Sequence, residues 1–598
     1  MLTLVKTREV IHMKNKIFSL TGFKFSGDIS EEFFDGVYVK YDGKNATLGF
    51  NTLPQKARAY FLLSMKAKSG AFEIKERPIF DTLGPMLDVS RGRVMTVEGV
   101  CRFIDNIAAL GMNMLMLYTE DTYEIKNRPQ FGYLRGRYTA EELKSIDIYA
   151  KSMGVELIPC IQTFGHLEQY IKNPEGKAMS DNERVLMAGD EAVYEFIEDE
   201  IRTVREAFST DRVHLGMDET FRLGLGRYLK KNGYRKSIDI YNEHLARVLE
   251  ISGKYFKQPM IWSDMLMTAP DGKLYSEEWT PDSEYINKIP KGVDLVFWDY
   301  YHDRYNFYEK NIKNHQLIGC KTLFGGGVWT WDGIAPNFEY TLKTMKPALD
   351  ACIDGGIKEV IATMWVSGGC GADLTQAIPG LAVFSEYCYR GKECTDDDIF
   401  EVSAHLTGVD RELFYAISDI YMGQKGAASL SKAFLFSDLL LDLTHYDVDY
   451  DEAKEVFAKA RDIISGKKDY AHREFFMKMY DIAIDRARIL KNIKKAYKSE
   501  DRAYLKLAAD EILPRIVSNT REFYAMIKKL WYADSKNNGF ENYALIFGGT
   551  IQRTEDAIEL INMYLDGKLD KIDPLECETL SGFNRRWRTP ESYIAVMK

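Results

Sequence analysis

Two neighbouring acids, Asp218 and Glu219, end a short apolar run in the stretch "RVHLGMDET" (212–220). The same Asp-Glu order recurs elsewhere, for example at 190–191 and 451–452, where a solvated helix face or loop explains it. Adjacent carboxylates repel each other, so a close pair tends to hold one proton between them. Such a pair supplies one ionised group and one general acid. The setting of the pair therefore decides whether it is catalytic or a structural ion-pair site.

The register of this run predicts different positions for the two acids. Side chains alternate between the two faces of a strand. The outward face is predicted to carry Val213, Leu215 and Met217. The inward face is predicted to carry His214, Gly216 and Asp218. Glu219 follows where the strand breaks into a loop, and it leans over the rim. The two carboxyls would then meet different parts of one ligand.

Eight short apolar stretches predict the strands that position these acids, at 84–90, 112–120, 155–163, 213–219, 258–265, 293–301, 322–331 and 360–367. Each is nearly continuous in apolar character, as in strands buried on both faces, and helical patterns lie between most of them. One such helix opens with a Thr139–Glu142 capping box and stops at Gly154. Eight strand–helix units predict a (β/α)8 TIM barrel. A doubly wound sheet is the alternative, but no Gly-x-Gly-x-x-Gly follows a first strand.

The rest of the α/β chain is predicted to form two further domains. Strand-like runs at 36–41 and 45–50 precede a helical pattern at 53–68, which indicates a small α/β domain. Strand signals vanish after about residue 395, where long helical patterns dominate. The predicted domains are a small α/β domain at 1–80, the catalytic barrel at 81–392 and an α-helical C-terminal domain at 393–598.

Composition excludes several classes of function. The net charge of −10 argues against nucleic-acid binding, which needs a basic surface. The eight cysteines include no Cys-x-x-Cys, and no run approaches the 18 apolar residues of a membrane span. The amino terminus lacks the apolar core of a signal peptide, so we expect a soluble cytoplasmic protein. No cofactor, metal or membrane is expected, and the sequence leaves open whether the chain forms a homodimer.

The predicted strand ends gather acids and aromatic side chains. In a TIM barrel the active site lies at the carboxyl ends of the strands. Five of the eight tryptophans lie at four consecutive ends, those of the fifth to eighth strands: Trp262, Trp298, Trp329, Trp331 and Trp365. Indoles stack on the C–H faces of pyranose rings, and sugar hydroxyls need charged, bidentate partners. The strand ends therefore predict a sugar site.

Several of these motifs resemble glycoside hydrolase family 20, the β-N-acetylhexosaminidases. "HLGMDE" (214–219) resembles the family's His-x-Gly-x-Asp-Glu signature, and "MLDVSR" (86–91) resembles its first-strand motif ending in a sugar-binding arginine. "TED" (119–121) falls where the family has paired acids, and "FGH" (164–166) resembles its Pro-Gly-His. "VWTWD" (328–332) resembles its Trp-Tyr-x-Asp. The combination is specific, although each motif alone is weak.

The resemblance implies an exo-acting, retaining enzyme that releases terminal non-reducing β-linked GlcNAc from a glycan. Catalysis would be substrate-assisted, an exception to the two-carboxylate rule of glycosidases. The 2-acetamido oxygen of the substrate would attack the anomeric carbon and form an oxazolinium. Asp218 would orient the acetamido group and stabilise its charge. Glu219 would protonate the leaving oxygen and then deprotonate water.

The resemblance also implies the sugar-binding residues. Arg91 would bind the 3- and 4-hydroxyls, and His166 with Glu120 would tune Glu219. The aromatic set has two implied tasks: Trp262, Trp298 and Trp329 would enclose the acetamido group, and Trp365 would support the sugar face.

Two departures from the family pattern affect substrate binding. Thr330 stands where the family has the tyrosine that meets the acetamido oxygen, and Tyr300, in preference to Tyr301, is expected to supply that hydroxyl. On the last strand, Trp365-Val366-Ser367 replaces the family's Trp-x-Glu, which leaves Asp332 to bind the 4- and 6-hydroxyls alone. A looser grip on the 4-hydroxyl would admit GalNAc beside GlcNAc.

The sequence leaves three alternatives to this hypothesis. A retaining glycosidase with a protein nucleophile would use Asp264 or Asp332 and would accept glucosides. A sugar-binding barrel without catalysis would not need the Asp218–Glu219 pair. A metal-dependent hydrolase usually has a His pair at a strand end, and the nine histidines include no His-x-His.

Overall fold

The computed structural model describes residues 13–366, 371–423, 430–441 and 448–578. Residues 13–20 form helix α1. A four-stranded sheet with strand order β1-β3-β2-β4 follows, in which β1 is parallel to β3 and the other pairs are antiparallel. Its elements are β1 (Ile29–Phe33), β2 (Val37–Tyr41), β3 (Ala46–Phe50), helix α2 (Leu53–Lys66) and β4 (Phe72–Glu76). The sequence predicted β2, β3 and α2. It missed the mostly exposed β1 and the alternating β4, because neither carries a continuous apolar run.

Eight parallel strands close into a barrel, which confirms the predicted (β/α)8 TIM fold. The strands are β5 (Thr82–Asp88), β6 (Met114–Tyr118), β7 (Glu156–Cys160), β8 (Arg212–His214), β9 (Gln258–Trp262), β10 (Asp294–Trp298), β11 (Thr322–Gly327) and β12 (Glu359–Met364). All residues of β6 and β12 are buried. This burial on both faces explains their continuous apolar sequences.

Helices follow the strands and cover the barrel. They are α3 (Val97–Ala109), α4 (Ala140–Ser152), α5 (Glu168–Ile171), α6 (Pro174–Ala178), α7 (Glu191–Ala207), α8 (Arg227–Asn232), α9 (Ser237–Ser252), α10 (Ser283–Asn287), α11 (Tyr305–Ile318), α12 (Phe338–Asp354), α13 (Ile378–Arg390) and α14 (Asp396–Thr407). Helix α4 begins with the predicted capping box: the Glu142 amide donates to Thr139 Oγ1 over 3.1 Å, and the Thr139 amide donates to Glu142 Oε2 over 2.9 Å. The chain leaves α4 through Gly154, at φ 75°.

Strand β8 is shorter than the sequence predicted. Its regular part ends at His214, and Gly216 and Met217 then adopt left-handed backbone, with φ of 72° and 73°. The simple alternation predicted for 213–218 is therefore wrong beyond His214, because two left-handed residues reorient the chain. Asp218 is nevertheless buried, at 6% exposure.

The described C-terminal region is helical, as predicted. Its helices are α15 (Arg411–Ser418), α16 (Leu430–Phe436), α17 (Tyr450–Gly466), α18 (Arg473–Lys498), α19 (Arg502–Leu507), α20 (Leu513–Asp534), α21 (Phe540–Leu565) and α22 (Asp573–Glu576). The described residues divide into two compact units: one holds those within 1–328, 341–365 and 380–406, and the other holds those within 329–340, 366–379 and 407–598. The domain boundaries inferred from the sequence stay predictions. None of the described helices combines the length and apolarity needed to cross a membrane.

Candidate active site

Asp218 is held as an anion inside the barrel mouth. Its Oδ1 accepts a 2.8 Å hydrogen bond from Gln162 Nε2, and its Oδ2 lies 3.2 Å from His166 Nε2. Burial would raise the pKa of Asp218, but the neighbouring His166 cation and the Gln162 amide lower it below its usual value. The environment therefore favours a charged Asp218 at neutral pH.

Glu219, the next residue, has the opposite environment. Its side chain is 38% exposed, and its Oε2 lies 3.5 Å from His166 Nε2. Partial burial and the nearby Asp218 charge raise the pKa of Glu219, against the opposing effect of His166. The pair thus consists of a buried anion and a more accessible carboxyl whose pKa is raised above its usual value, which is the direction that suits a general acid.

His166 links the two acids, since its Nε2 lies within ion-pair distance of both. Burial alone would lower the pKa of His166, but the Asp218 carboxylate outweighs it and raises the pKa to about 9. A protonated imidazole between two carboxyls keeps the local charge near balance.

Glu120 and Arg91 form a second ion pair at the same barrel end, with 3.5 Å between Arg91 Nε and Glu120 Oε1. Tyr118 Oη donates to the same Glu120 oxygen over 3.1 Å and accepts from Gln162 Nε2 over 3.0 Å. Burial raises the pKa of Glu120 to about 7, although Arg91 and His166 oppose the rise. Tyr118 and Gln162 therefore connect the Arg91–Glu120 pair to Asp218.

The end of β5 presents Arg91 through a turn built on Asp88. Asp88 Oδ1 accepts from the Ser90 amide and hydroxyl over 3.0 and 2.8 Å, and from the Arg91 amide over 3.3 Å. The Arg91 side chain keeps 30% exposure, and its guanidinium lies 4.8 Å from the Trp365 ring centre. The turn leaves the guanidinium accessible to a ligand while its base is fixed.

Three predicted site residues on successive strand ends adopt left-handed backbone. The φ angles are 42° at Glu120, 54° at His166 and 45° at Glu219. This region is unfavourable for residues other than glycine, and such strain concentrates at functional sites. The protein stabilises these conformations at the positions where three titratable side chains meet.

Aromatic side chains line the other half of this barrel end. Trp365 packs edge-on against Tyr118 at 4.8 Å and lies 5.9 Å from Trp262. Tyr300 stacks on Trp298 at 5.5 Å and is 5% exposed, whereas the neighbouring Tyr301 is 41% exposed. The Trp298 indole nitrogen is buried beside the Asp264 carboxyl, and the Trp262 indole nitrogen is buried and lacks a hydrogen-bond partner among the described residues. Polar atoms in that state suit a ligand acceptor.

Trp329 and Asp332 belong to the second unit. There, Trp329 stacks on Trp331 at 4.4 Å. Both carboxylate oxygens of Asp332 are buried and have no hydrogen-bond partner within the described ranges, and burial raises its pKa to about 7. Their participation in the sugar site stays a prediction, and Ser367, the other departure on the last strand, lies outside the described residues.

Some residues of this barrel end were not in the predicted site. Tyr118 and Gln162 connect its charged groups, as described above, and Arg135 Nε donates to Asp121 Oδ1 over 3.1 Å. Asp264, which the sequence offered only as an alternative nucleophile, accepts a 2.9 Å hydrogen bond from the Glu219 amide. Gln162 and Asp264 stand at strand ends and could have been chosen on that signal. Arg135 lies in a long loop, and no sequence signal marked it as a site residue.

Within the described residues, no group of three or more His, Cys, Asp or Glu side chains is arranged to hold a metal ion. The acids at this barrel end are instead neutralised by Arg91, Arg135 and His166.

Comparison with known proteins gives two matching family models. Residues 80–338 match the catalytic domain of glycosyl hydrolase family 20, and residues 415–592 match the glycoside hydrolase 20C C-terminal domain. Together the two matches cover more than half of the 598 residues.

Curated relatives align over part of their lengths. Hexosaminidase D of Bos taurus is 26% identical over 232 residues, which is 37% of this chain and 62% of the relative. A β-hexosaminidase of Porphyromonas gingivalis is 26% identical over 227 residues, which is 32% of this chain and 29% of the relative. The chain thus spans less than two thirds of the length of these relatives.

Solved structures share the fold. A chitobiase from Flavobacterium johnsoniae covers 94% of this chain and 88% of its own, with a TM-score of 0.52 and 17% identity. An exo-β-N-acetylglucosaminidase from Vibrio harveyi, solved with N-acetylglucosamine, covers 67% and 73%, with a TM-score of 0.51 and 16% identity. With two family models on its barrel and its helical region, the chain belongs to glycoside hydrolase family 20.

Proposed function

We propose that the protein is an exo-acting, retaining β-N-acetylhexosaminidase. It would release terminal non-reducing β-linked GlcNAc from an oligosaccharide or glycan by substrate-assisted catalysis through an oxazolinium intermediate. The hexosaminidase names of the aligned relatives and the matched catalytic-domain model support this activity.

One observation carries the proposal: the two adjacent acids have opposite environments. The pKa of Asp218 is lowered by His166 and Gln162, whereas burial and Asp218 raise the pKa of Glu219. An ionised Asp218 would orient the acetamido N–H and stabilise the positive charge that develops on its nitrogen. A protonated Glu219 would donate to the leaving oxygen and later accept a proton from water.

The other polar groups have tasks consistent with their positions. Arg91, the part-exposed cation of this end, would bind the 3- and 4-hydroxyls as a two-pronged donor. His166 and Glu120 would tune Glu219, since His166 lies 3.5 Å from it and interacts electrostatically with Glu120.

The aromatic groups would contact the apolar parts of the sugar. Trp262 and Trp298 would enclose the acetamido methyl, and Trp365 would support the sugar face. Tyr300 is favoured over Tyr301 for the acetamido oxygen because it is buried against Trp298 rather than turned to solvent.

A protein nucleophile is disfavoured by the position of Asp264, the barrel candidate for that role. Its carboxyl is only 2% exposed, and one oxygen already accepts the Glu219 amide. Burial and the Asp218 charge raise its pKa to about 8, which favours the neutral, non-nucleophilic form at neutral pH.

The test is hydrolysis of 4-nitrophenyl β-glycosides of GlcNAc and glucose, side by side at neutral pH. We expect cleavage of the GlcNAc compound and, because glucose lacks the 2-acetamido oxygen, a rate for the glucoside at least about 10³-fold lower. Comparable rates on both would contradict substrate assistance and point to a protein nucleophile.

The GalNAc glycoside, run in parallel, tests whether the missing last-strand glutamate relaxes recognition of the 4-hydroxyl. Rejection of GalNAc would remove that part of the proposal.

A further inference from the structure

We propose that Asp264 is a positioning residue for the general acid: its buried carboxyl holds the Glu219 backbone in the conformation that directs the Glu219 side chain to the leaving oxygen. This inference rests on the proposed function, because it takes Glu219 as the proton donor.

The contact between Asp264 and Glu219 is direct. Asp264 Oδ2 accepts the Glu219 amide N–H over 2.9 Å, and the Asp264 side chain is almost fully buried. Glu219 has a φ of 45°, in a region that residues with a side chain rarely adopt. The Glu219 amide therefore has a fixed, water-excluded acceptor at the point where its backbone is strained.

Asp264 itself stands on a rigid support. It begins a short 3-10 turn, Asp264–Leu266, directly after β9. The Thr268 hydroxyl and the Met267 amide both donate to the Asp264 carbonyl, over 2.9 and 3.0 Å. The preceding Ser263 is tied to His315 Nε2 of α11 over 2.7 Å. The carboxyl can thus impose a position on Glu219 rather than follow it.

The charged and titratable groups that face Asp264 come from several elements. They are Asp218 and Glu219 after β8, Tyr241 of α9 and Tyr275 after β9, with the Trp298 indole of β10 beside them. Asp264 Oδ1 is buried, and the Trp298 indole N–H also interacts with the Asp264 carboxyl. Burial and the Asp218 charge raise the pKa of Asp264 to about 8, so the carboxyl is mainly neutral near pH 6. An asparagine is then a close substitute, because its amide oxygen can accept the same N–H.

Loss of the acceptor would release the Glu219 backbone from its left-handed conformation. A displacement of about 1 Å of a reacting group costs on the order of 100-fold in rate. The loss should depend on the leaving group, since good leaving groups need little protonation. A merely structural role would instead reduce the rates on all substrates by one common factor.

The experiment measures kcat/KM of purified full-length wild type, Asp264→Ala and Asp264→Asn on methyl and 4-nitrophenyl β-GlcNAc at pH 6. We expect Asp264→Ala to lose about 100-fold on the methyl glycoside and about tenfold or less on the nitrophenyl glycoside. Asp264→Asn should stay within about threefold of wild type on both substrates.

Asp181→Ala is the matched control. Asp181 is buried and anchors the same loop farther along, accepting from the amides of Gly224 and Tyr228 over 3.0 and 2.6 Å. It should lower Tm without changing the methyl-to-nitrophenyl ratio. Asp264→Ser, whose hydroxyl is too short to reach the Glu219 amide, replaces Asp264→Ala if that variant does not fold.

An unchanged ratio in Asp264→Ala or Asp264→Ser overturns the inference, and so does an Asp264→Asn variant that behaves like alanine. If wild type cleaves neither GlcNAc compound, the proposed function has failed instead.

Discussion

The amino-terminal and carboxyl ends of the barrel strands both concentrate charge, but they use it differently. At the amino-terminal ends, a cavity of about 690 Å³ is lined by acids and bases that pair with one another. Buried Arg212 donates to Glu359 and lies 3.3 Å from Glu156, and Lys321 pairs with the same Glu359. At the carboxyl ends, Asp218 and Glu219 lie within 3.5 Å of His166, and Asp264 faces the two acids.

Backbone geometry also differs between the two ends of the barrel strands. Arg212 and Glu359 lie within regular strands, β8 and β12. Glu120, His166 and Glu219 have left-handed backbone. Paired charges on relaxed backbone stabilise a fold, whereas perturbed pKa values on strained backbone mark a site that performs chemistry. We therefore expect the amino-terminal end of the barrel to contribute to stability and the carboxyl end to hold the proposed active site, in keeping with the fold class.

The largest expected effect comes from replacing the two proposed catalytic acids at the carboxyl end of the barrel. Glu219→Gln should lose about 10³-fold in kcat/KM on methyl β-GlcNAc but about tenfold or less on the 4-nitrophenyl glycoside, because only the poor leaving group needs the proton. Asp218→Asn, the matched comparison, should lose about 10²-fold or more on both, because it acts on the intermediate itself. Steady-state kinetics of both variants on both substrates check this. An identical leaving-group dependence would contradict the assigned roles.

A smaller effect should come from the amino-terminal end. Arg212→Met leaves buried Glu359 without one of its cations and should lower the free energy of unfolding by about 3 kcal/mol. The kcat/KM per folded molecule should stay unchanged. Urea unfolding with activity assays measures both quantities. Arg222→Met, which removes an exposed arginine 3.0 Å from Glu183, is the control and should leave stability unchanged. A selective loss of activity in Arg212→Met would contradict the expectation that the amino-terminal end of the barrel affects stability and not catalysis.

The smallest expected effect is a pH dependence of stability. The pKa of His166 is raised from 6.5 to about 9 in the folded protein, so its stabilisation is fully present below pH 6.5 and is lost as pH rises through about 9. The loss between these limits should be at most about 3 kcal/mol, since each pKa unit is worth about 1.4 kcal/mol. Urea unfolding at pH 6 and pH 9.5 should show a smaller pH difference for His166→Gln than for wild type. Equal differences would mean that His166 is not the group that titrates.

Some features could be read from the sequence because each depends on local pattern. Continuous apolar runs predicted the eight barrel strands, since strands buried on both faces need apolar residues at every position. Thr139 and Glu142 predicted the start of α4, because a capping box involves only four consecutive residues. Motif residues at strand ends placed Asp218, Glu219, His166 and Arg91 at one end of the barrel, since parallel strands share an edge.

What the sequence by itself determined is therefore the barrel, the helical C-terminal region and the family of the chain. Only the tertiary structure decided how the acids differ. Asp218 is an anion because Gln162 and His166, distant in sequence, converge on it, and Glu219 is held at its backbone by Asp264 after the next strand. Left-handed residues end β8 early, and the strand period cannot foresee them. Burial and charge proximity set pKa values, and both arise only when separate segments pack together.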